Sequence, residues 1–325
     1  MGFPHRAGGA GRQGKAGRPA GPSSGRRLGR RRRYFQVICL VPILAYLSAL
    51  FAYPTYENIR LGFYQESAAQ FITNTPTFIG LGNYGTLLHD GVFVGALGHT
   101  LLLVCVTIPV ELLFGLLIAL LLNRAGWLYA SLRALLLLPW LLPVIVTANI
   151  WLWMLDQFYG VLNYFLVALH ITSHYIPWVS EPAFALWAII IANSWLGIPF
   201  YMMILYAGLR GIPKELYEAA RIDGAGAVAS LRFVTLPLLK DVVAILVTLG
   251  FIYGVKTFDI VWLMTRGGPA NATHVLGSLD YLDVFTLSEF GYGAAIANVM
   301  LLLSGVGALV YIRATRGRRV AREVG

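Results

Sequence analysis

The chain is 325 residues long, with 58% hydrophobic residues, 12% charged residues and a formal net charge of +10. A soluble domain carries about a quarter charged residues, so this composition cannot cover an aqueous surface and points to an all-helical membrane bundle. A collagen-like or disulfide-rich secreted fold is excluded too, because there is no G-x-Y period and there are only two cysteines. Cys39 and Cys105 both lie in apolar runs and read as small buried hydrophobes rather than metal or redox ligands.

In chain order, residues 1–34 are mostly Gly, Pro, Ser and Arg, with no acidic residue, which predicts a disordered basic tail. Apolar runs follow at about 35–54, 93–122, 133–155, 183–208, 240–263 and 290–312. Each reaches the roughly 20 residues that a hydrocarbon core of about 30 Å demands, so six spans are expected. The first run is too long, and lacks the small-residue site, for a cleaved signal peptide. A second basic tail closes the chain at 313–325.

Charge fixes the orientation. Of the 25 Lys and Arg residues, 22 fall in the two tails and in the connections between spans two and three and between spans four and five. Arg60, Lys256 and Arg266 are the exceptions. This positive-inside distribution predicts both termini on the cytoplasmic side, which an even number of spans permits. The basic excess therefore reads as topology and not as nucleic-acid binding. Outside lie two longer connections, 55–92 and 156–182; within the second, the short apolar stretch 161–169 is expected to lie flat beside Tyr175, Pro177 and Trp178.

The cytoplasmic segment Gly211–Lys240 is the most patterned connection. Pro213 suits a helix start, Lys214 to Ile222 favour a helix, and Asp223-Gly224 favour a turn. A second short helix over 225–233 would then run into Pro237. Composition alone leaves an ordinary interfacial amphipathic loop equally open.

The ordered residues tip that balance. Glu218-Ala219-Ala220, Asp223-Gly224-Ala225 and Leu236-Pro237 resemble the EAA loop of ABC-transporter membrane subunits, with Val234 where the family has isoleucine. Phe78 to Tyr84, Leu138-Pro139-Trp140 with Pro143, Trp151 and Trp153, Tyr159 to Asn163, Phe258-Asp259 and Thr265 to Pro269 resemble strings of carbohydrate permeases. In this order they resemble the maltose/glycerol-phosphate type, specifically the larger-subunit half of the membrane pair. The large periplasmic domain of some such subunits is absent; 55–92 is a modest loop.

The resemblance implies a six-span type I ABC importer permease in the bacterial cytoplasmic membrane, with its permease domain over 35–312 and its coupling loop over 211–237. Its partners would be a second homologous permease, two cytoplasmic P-loop ATPases that hold ATP and Mg, an extracytoplasmic binding protein, membrane lipid and a carbohydrate or polyol derivative. Glu218, Ala219, Ala220, Asp223, Gly224 and Pro237 would form the ATPase contact. Two other readings stand beside this one: an ABC permease for another small solute, and an ion-coupled secondary carrier, which requires inverted repeats and broken helices.

Within the runs, polar residues stand at His99, Glu111, Asn149, Asn193, Lys256, Asp259 and Asn298. Intramembrane charges face a bundle interior or a water-filled path. Lys256 and Asp259, at i and i+3, are placed to pair on one helix face. Sugars offer C–H faces and hydroxyls, so the expected solute path comprises Asn149, Trp153, Asn193, Tyr253, Lys256, Asp259 and Asn298. Trp140, Trp187 and Trp262 are assigned to the interfacial aromatic belt, a reading open to the other aromatics as well. The chain has no G-x-x-x-x-G-K-[ST], H-E-x-x-H or G-x-S-x-G motif, and its six histidines are scattered. No catalytic residue, metal site or cofactor is expected in it.

Overall fold

Helix formation here follows from the lack of water: in hydrocarbon every backbone N–H and C=O must be satisfied within the chain. A computed structural model describes residues 37–124 and 126–323, with side chains through residue 313; the predicted tail 1–34 lies outside the described residues. Among the described residues, those up to Tyr56 form one compact unit and those from Glu57 onward a second. The first holds the N-terminal part of helix α1 (Val37–Leu61), which contains a π-turn at Ser48–Ala52.

The second unit carries a small antiparallel pair, β1 (Tyr64–Gln65) with β2 (Thr77–Phe78), and two short helices, α2 (Ala68–Thr73) and α3 (Gly82–His89). The transmembrane helix α4 (Gly91–Leu121) follows. Asp90 starts it by accepting from Val92 N at 2.8 Å, and its other oxygen accepts from Tyr292 at 2.6 Å. Then come α5 (Trp127–Leu136), α6 (Leu138–Leu141), α7 (Val144–Met154) and the short helix α8 (Val161–Ala168). The long helix α9 (Pro182–Arg210), α10 (Lys214–Ile222), α11 (Ala227–Val255), α12 (Asp259–Met264), α13 (Leu276–Tyr281, continued by a π-turn at Leu282–Leu287) and α14 (Phe290–Glu323) complete the chain.

Five helices among the described residues are long and apolar enough to span a membrane: α1, α4, α9, α11 and α14. The expected run 133–155 is not one continuous helix. Leu142 is extended at φ −71°, ψ 141°, as the residue before a proline is driven to be, and Pro143 then caps α7. The run 240–263 also breaks, at 256–258, so Lys256 ends α11 and Asp259 begins α12. The proposed helical i, i+3 pair is thus divided between two helices. The second short helix expected over 225–233 is the first turns of α11, which passes through Pro237 because a π-turn at Leu231–Thr235 precedes it. Helix α14 continues through most of the predicted tail 313–325. Cys39 and Cys105 are exposed rather than buried.

Three clusters form the core, around Trp151, Leu155 and Ile189, around Tyr201, Leu205 and Leu246, and around Phe93, Leu276 and Ile296. The Thr265–Pro269 string closes a tight loop: Gly267 sits at φ +85° against the His274 ring, and Thr273 bridges Thr265 and the Gly268 carbonyl at 2.7 Å each. That loop is tied to α4 where Thr100 Oγ1 accepts from Leu276 N at 2.9 Å and His99 Nδ1 lies 3.0 Å from the His274 carbonyl. Asn163 of α8 accepts from Ile176 N and Trp178 Nε1, which fixes the connection between α8 and α9.

Outside the spans, burial and the neighbouring Asp283 raise the Asp280 carboxyl to about 7; burial, Asp90 and Glu289 raise Asp283 to about 6. Both exceed an unfolded value of ~3.9, so the folded chain binds more protons between those limits. The stability this contributes is complete below pH ~4 and is lost as pH rises through the folded values. Thermal unfolding in detergent should therefore fall in midpoint from pH 5 to pH 8, and Asp280→Asn should flatten that slope. An unchanged slope in the variant would contradict the assignment.

Candidate functional site: an intramembrane cavity and an exposed loop

Four segments enclose a cavity of about 420 Å³, within the size range of small-molecule sites. Helix α4 supplies Thr107 and Glu111; α6 supplies Trp140; α9 supplies Asn193, Leu196, Gly197, Phe200 and Tyr201; α11 and its end supply Gly250, Tyr253, Gly254 and Thr257. The spacing explains the convergence, since Thr107 and Glu111, Asn193 and Gly197, and Gly250 and Gly254 are each four apart and share a helix face.

Glycine permits the close approach. A Cβ at Gly197 would overlap the Glu111 carboxyl, one at Gly250 would overlap the Tyr201 hydroxyl, and one at Gly115 would lie 2.9 Å from Tyr201 Cβ. Helices in lipid associate through such small-residue contacts, because lipid tails are as apolar as leucine. Tyr201 donates to the Leu246 carbonyl at 3.2 Å and sits beside Glu111, fastening α9 to α11 next to the carboxyl. Trp140 stacks on Phe200 with ring centroids 5.8 Å apart. Glu111 is itself only 6% exposed.

Of the expected path residues, Asn193 and Tyr253 line this cavity and the other five do not. Asn149 is exposed and donates to Ile145 O in its own helix at 2.7 Å. Trp153 is 78% exposed. Lys256 and Asp259 are both exposed, and no ion pair between them occurs among the described residues. Asn298 is buried and engaged: it accepts from Asn58 Nδ2 and donates to Tyr84 Oη, each at 2.9 Å, clamping the end of α1 to α14. Trp140, assigned to the interface, is a cavity wall. Glu111, Gly197, Gly250 and Thr257 line the cavity and are not among the expected path residues; the Gly250–Gly254 G-x-x-x-G spacing and a lone mid-span carboxylate were their signatures.

The loop residues stand apart from the cavity, at the surface. Glu218, Ala219, Asp223, Gly224 and Pro237 are exposed, and Ala220 is half-buried. Gly224 takes φ +82°, the turn that a glycine permits after α10. Tyr217 faces inward, its hydroxyl 3.0 Å from Thr235 Oγ1, so α10 is bonded to the start of α11. Helix α10 thus hangs between the two helices that form most of the cavity wall, α9 before it and α11 after it.

A direct test of the glycine contact is Gly197→Ala, which should lower stability by ~1–3 kcal/mol through overpacking and reduce solute uptake. Gly305→Ala meets open space and should be neutral or slightly stabilising. Equal effects of the two on detergent melting would remove the role given to Gly197.

Residues 111–316 match the family model described as binding-protein-dependent transport system inner membrane component. The chain is 35% identical over 277 residues to a probable ABC transporter permease protein of Pyrococcus horikoshii, covering 85% of this chain and 94% of that one. It is 33% identical to the trehalose/maltose transport system permease protein MalF of Thermococcus litoralis, over 87% of this chain and 94% of the relative. It is 34% identical to the sulfoquinovosyl glycerol transport system permease protein SmoG of Agrobacterium fabrum, over 87% and 91%. In fold it is similar to a chain of a bacterial alginate ABC transporter solved with a pentasaccharide-bound periplasmic protein, with TM-score 0.74, 19% identity and coverage of 88% and 95%. Among the described residues no group of three or more His, Cys, Asp or Glu could hold a metal. The chain belongs to the binding-protein-dependent transport system inner membrane components: it is a non-catalytic, multi-pass permease subunit of an ABC importer that works with an extracytoplasmic binding protein.

Proposed function

We propose that this permease forms half of the translocation path for a carbohydrate or polyol derivative. The observation that carries this reading is the connection just described, in which one exposed element joins two cavity-lining helices. Names of relatives support the solute class, since these include trehalose/maltose and lactose transport permeases. The cavity supports it chemically, with Trp140, Phe200 and Tyr253 beside Asn193, Thr107 and Thr257. Aromatic faces suit sugar C–H surfaces, and polar side chains suit hydroxyls.

In this reading the chain crosses six times, with the interrupted segment α5–α7 as the third crossing and both termini cytoplasmic. The permease domain covers 35–312 between the basic segments 1–34 and 313–325, and the coupling element covers 211–237. Two cytoplasmic ATPases bind ATP and Mg and dock on the loop. Glu218 makes a polar contact there, Ala219 and Ala220 allow close approach, and Gly224 with Asp223 makes the turn. A second homologous permease completes the path. Closure of the ATPases moves α10, and α9 and α11 with it, which exchanges inward- and outward-open states as the binding protein releases its solute.

The test is co-purification from mild detergent with mass spectrometry. Native chain should bring down a P-loop ATPase and a second permease. Glu218→Ala should lower ATPase recovery and uptake by about tenfold, or ~1.4 kcal/mol of docking energy. A chain that purifies alone and moves solute in vesicles without ATP would overturn the reading in favour of an ion-coupled carrier.

A further inference from the structure

The cavity has a charge asymmetry that the reading above does not use. Its lining includes one carboxyl group, Glu111, and no Lys, Arg or His. The nearest basic residue along α11, Lys256 at its end, is exposed and is not part of the wall. Glu111 comes from the middle of the 31-residue helix α4 and is 6% exposed. It is held in place on two sides, by the Gly197 backbone, which leaves no room for a side chain, and by Tyr201, whose hydroxyl is committed to the Leu246 carbonyl. The carboxyl is therefore a fixed wall group rather than a mobile one.

We infer that Glu111 makes this chain's share of the path selective for uncharged, hydroxyl-bearing solutes and unfavourable to anionic ones. An anion that enters the cavity leaves water and finds no counter-charge in the wall. Burying a charge without a partner is costly, and the wall offers none. When it is ionised, like-charge repulsion at short range and low dielectric adds to the cost. A neutral polyol meets neither penalty, and its hydroxyls can donate to or accept from the same carboxyl. The acid thus sorts solutes by charge while the aromatic and amide groups of the wall serve any saccharide. This inference rests on the cavity being the translocation path.

Thiol-reagent kinetics test it without knowledge of the solute. In the assembled importer, with Cys39 and Cys105 replaced by serine, Thr257→Cys places one thiol in the cavity wall. Modification by anionic sulfonatoethyl methanethiosulfonate is compared with modification by the neutral hydroxyethyl reagent, each normalised to a free thiol. With Glu111 present the anionic-to-neutral ratio should be about tenfold below the free-thiol ratio; Glu111→Gln should raise it severalfold while the neutral rate stays unchanged. The unchanged neutral rate separates a charge effect from misfolding. A ratio that does not respond to Glu111→Gln overturns the inference, and so does a thiol that the neutral reagent cannot reach. Saccharide uptake by the same complex is scored separately, so loss of the carbohydrate reading alone would be visible as uptake failure with the charge ratio intact.

Discussion

The structure depends on how closely helices approach where water gives no reason for them to associate. In water, apolar faces drive helices together; in lipid, packing and polar contacts must do it. Here glycines on α4, α9 and α11 remove side chains at the contact points, with Gly115 under Tyr201, Gly197 under Glu111, Gly250 under the Tyr201 hydroxyl and Gly254 under Val104. Close approach brings Glu111, Asn193 and Tyr201 together inside the bundle, and the same geometry leaves a cavity between them. The polar cluster and the packing glycines are two aspects of one arrangement.

Function follows from what that arrangement is attached to. The chain leaves α9 at Arg210, forms α10 at the surface and enters α11 at Ala227, so the exposed element and the cavity walls are covalently continuous. The bond between Tyr217 and Thr235 stiffens the junction, and the π-turn before Pro237 keeps α11 unbroken through it. In the proposed reading, a force applied at Glu218 reaches both walls. A loose loop would absorb it.

Much of this was legible in the sequence, and the failures share a cause. Composition and hydrophobic run lengths identified the membrane bundle, because a hydrocarbon slab imposes one length scale on every crossing. Helix α10 and its turn at Gly224 were readable because capping and turn chemistry are local. The interruption at Pro143 was hidden by hydropathy, which counts apolar residues and ignores the extended backbone a proline forces on Leu142. Pro237, by contrast, looked like a helix end, and a π-turn carries the helix past it. Which polar residues share the cavity was the least legible feature. Polarity marked Asn298 and Lys256, yet one clamps the end of α1 to α14 and the other is exposed and outside the cavity wall, since residue type does not say which way a helix is rotated. The glycines that define the cavity carry no polar group at all, and only their spacing marks them.

The central claim is that the nucleotide state, sensed at α10, is transmitted to the cavity wall. It is tested most directly by the reactivity of Tyr253→Cys, a wall position on α11, in the complete importer reconstituted in liposomes. Addition of ATP and Mg should change the modification rate by a neutral thiol reagent about tenfold, as expected when a two-state element is biased by a few kcal/mol. Glu218→Ala should abolish the change. A rate indifferent to nucleotide in the native complex, with ATP hydrolysis intact, would contradict the account.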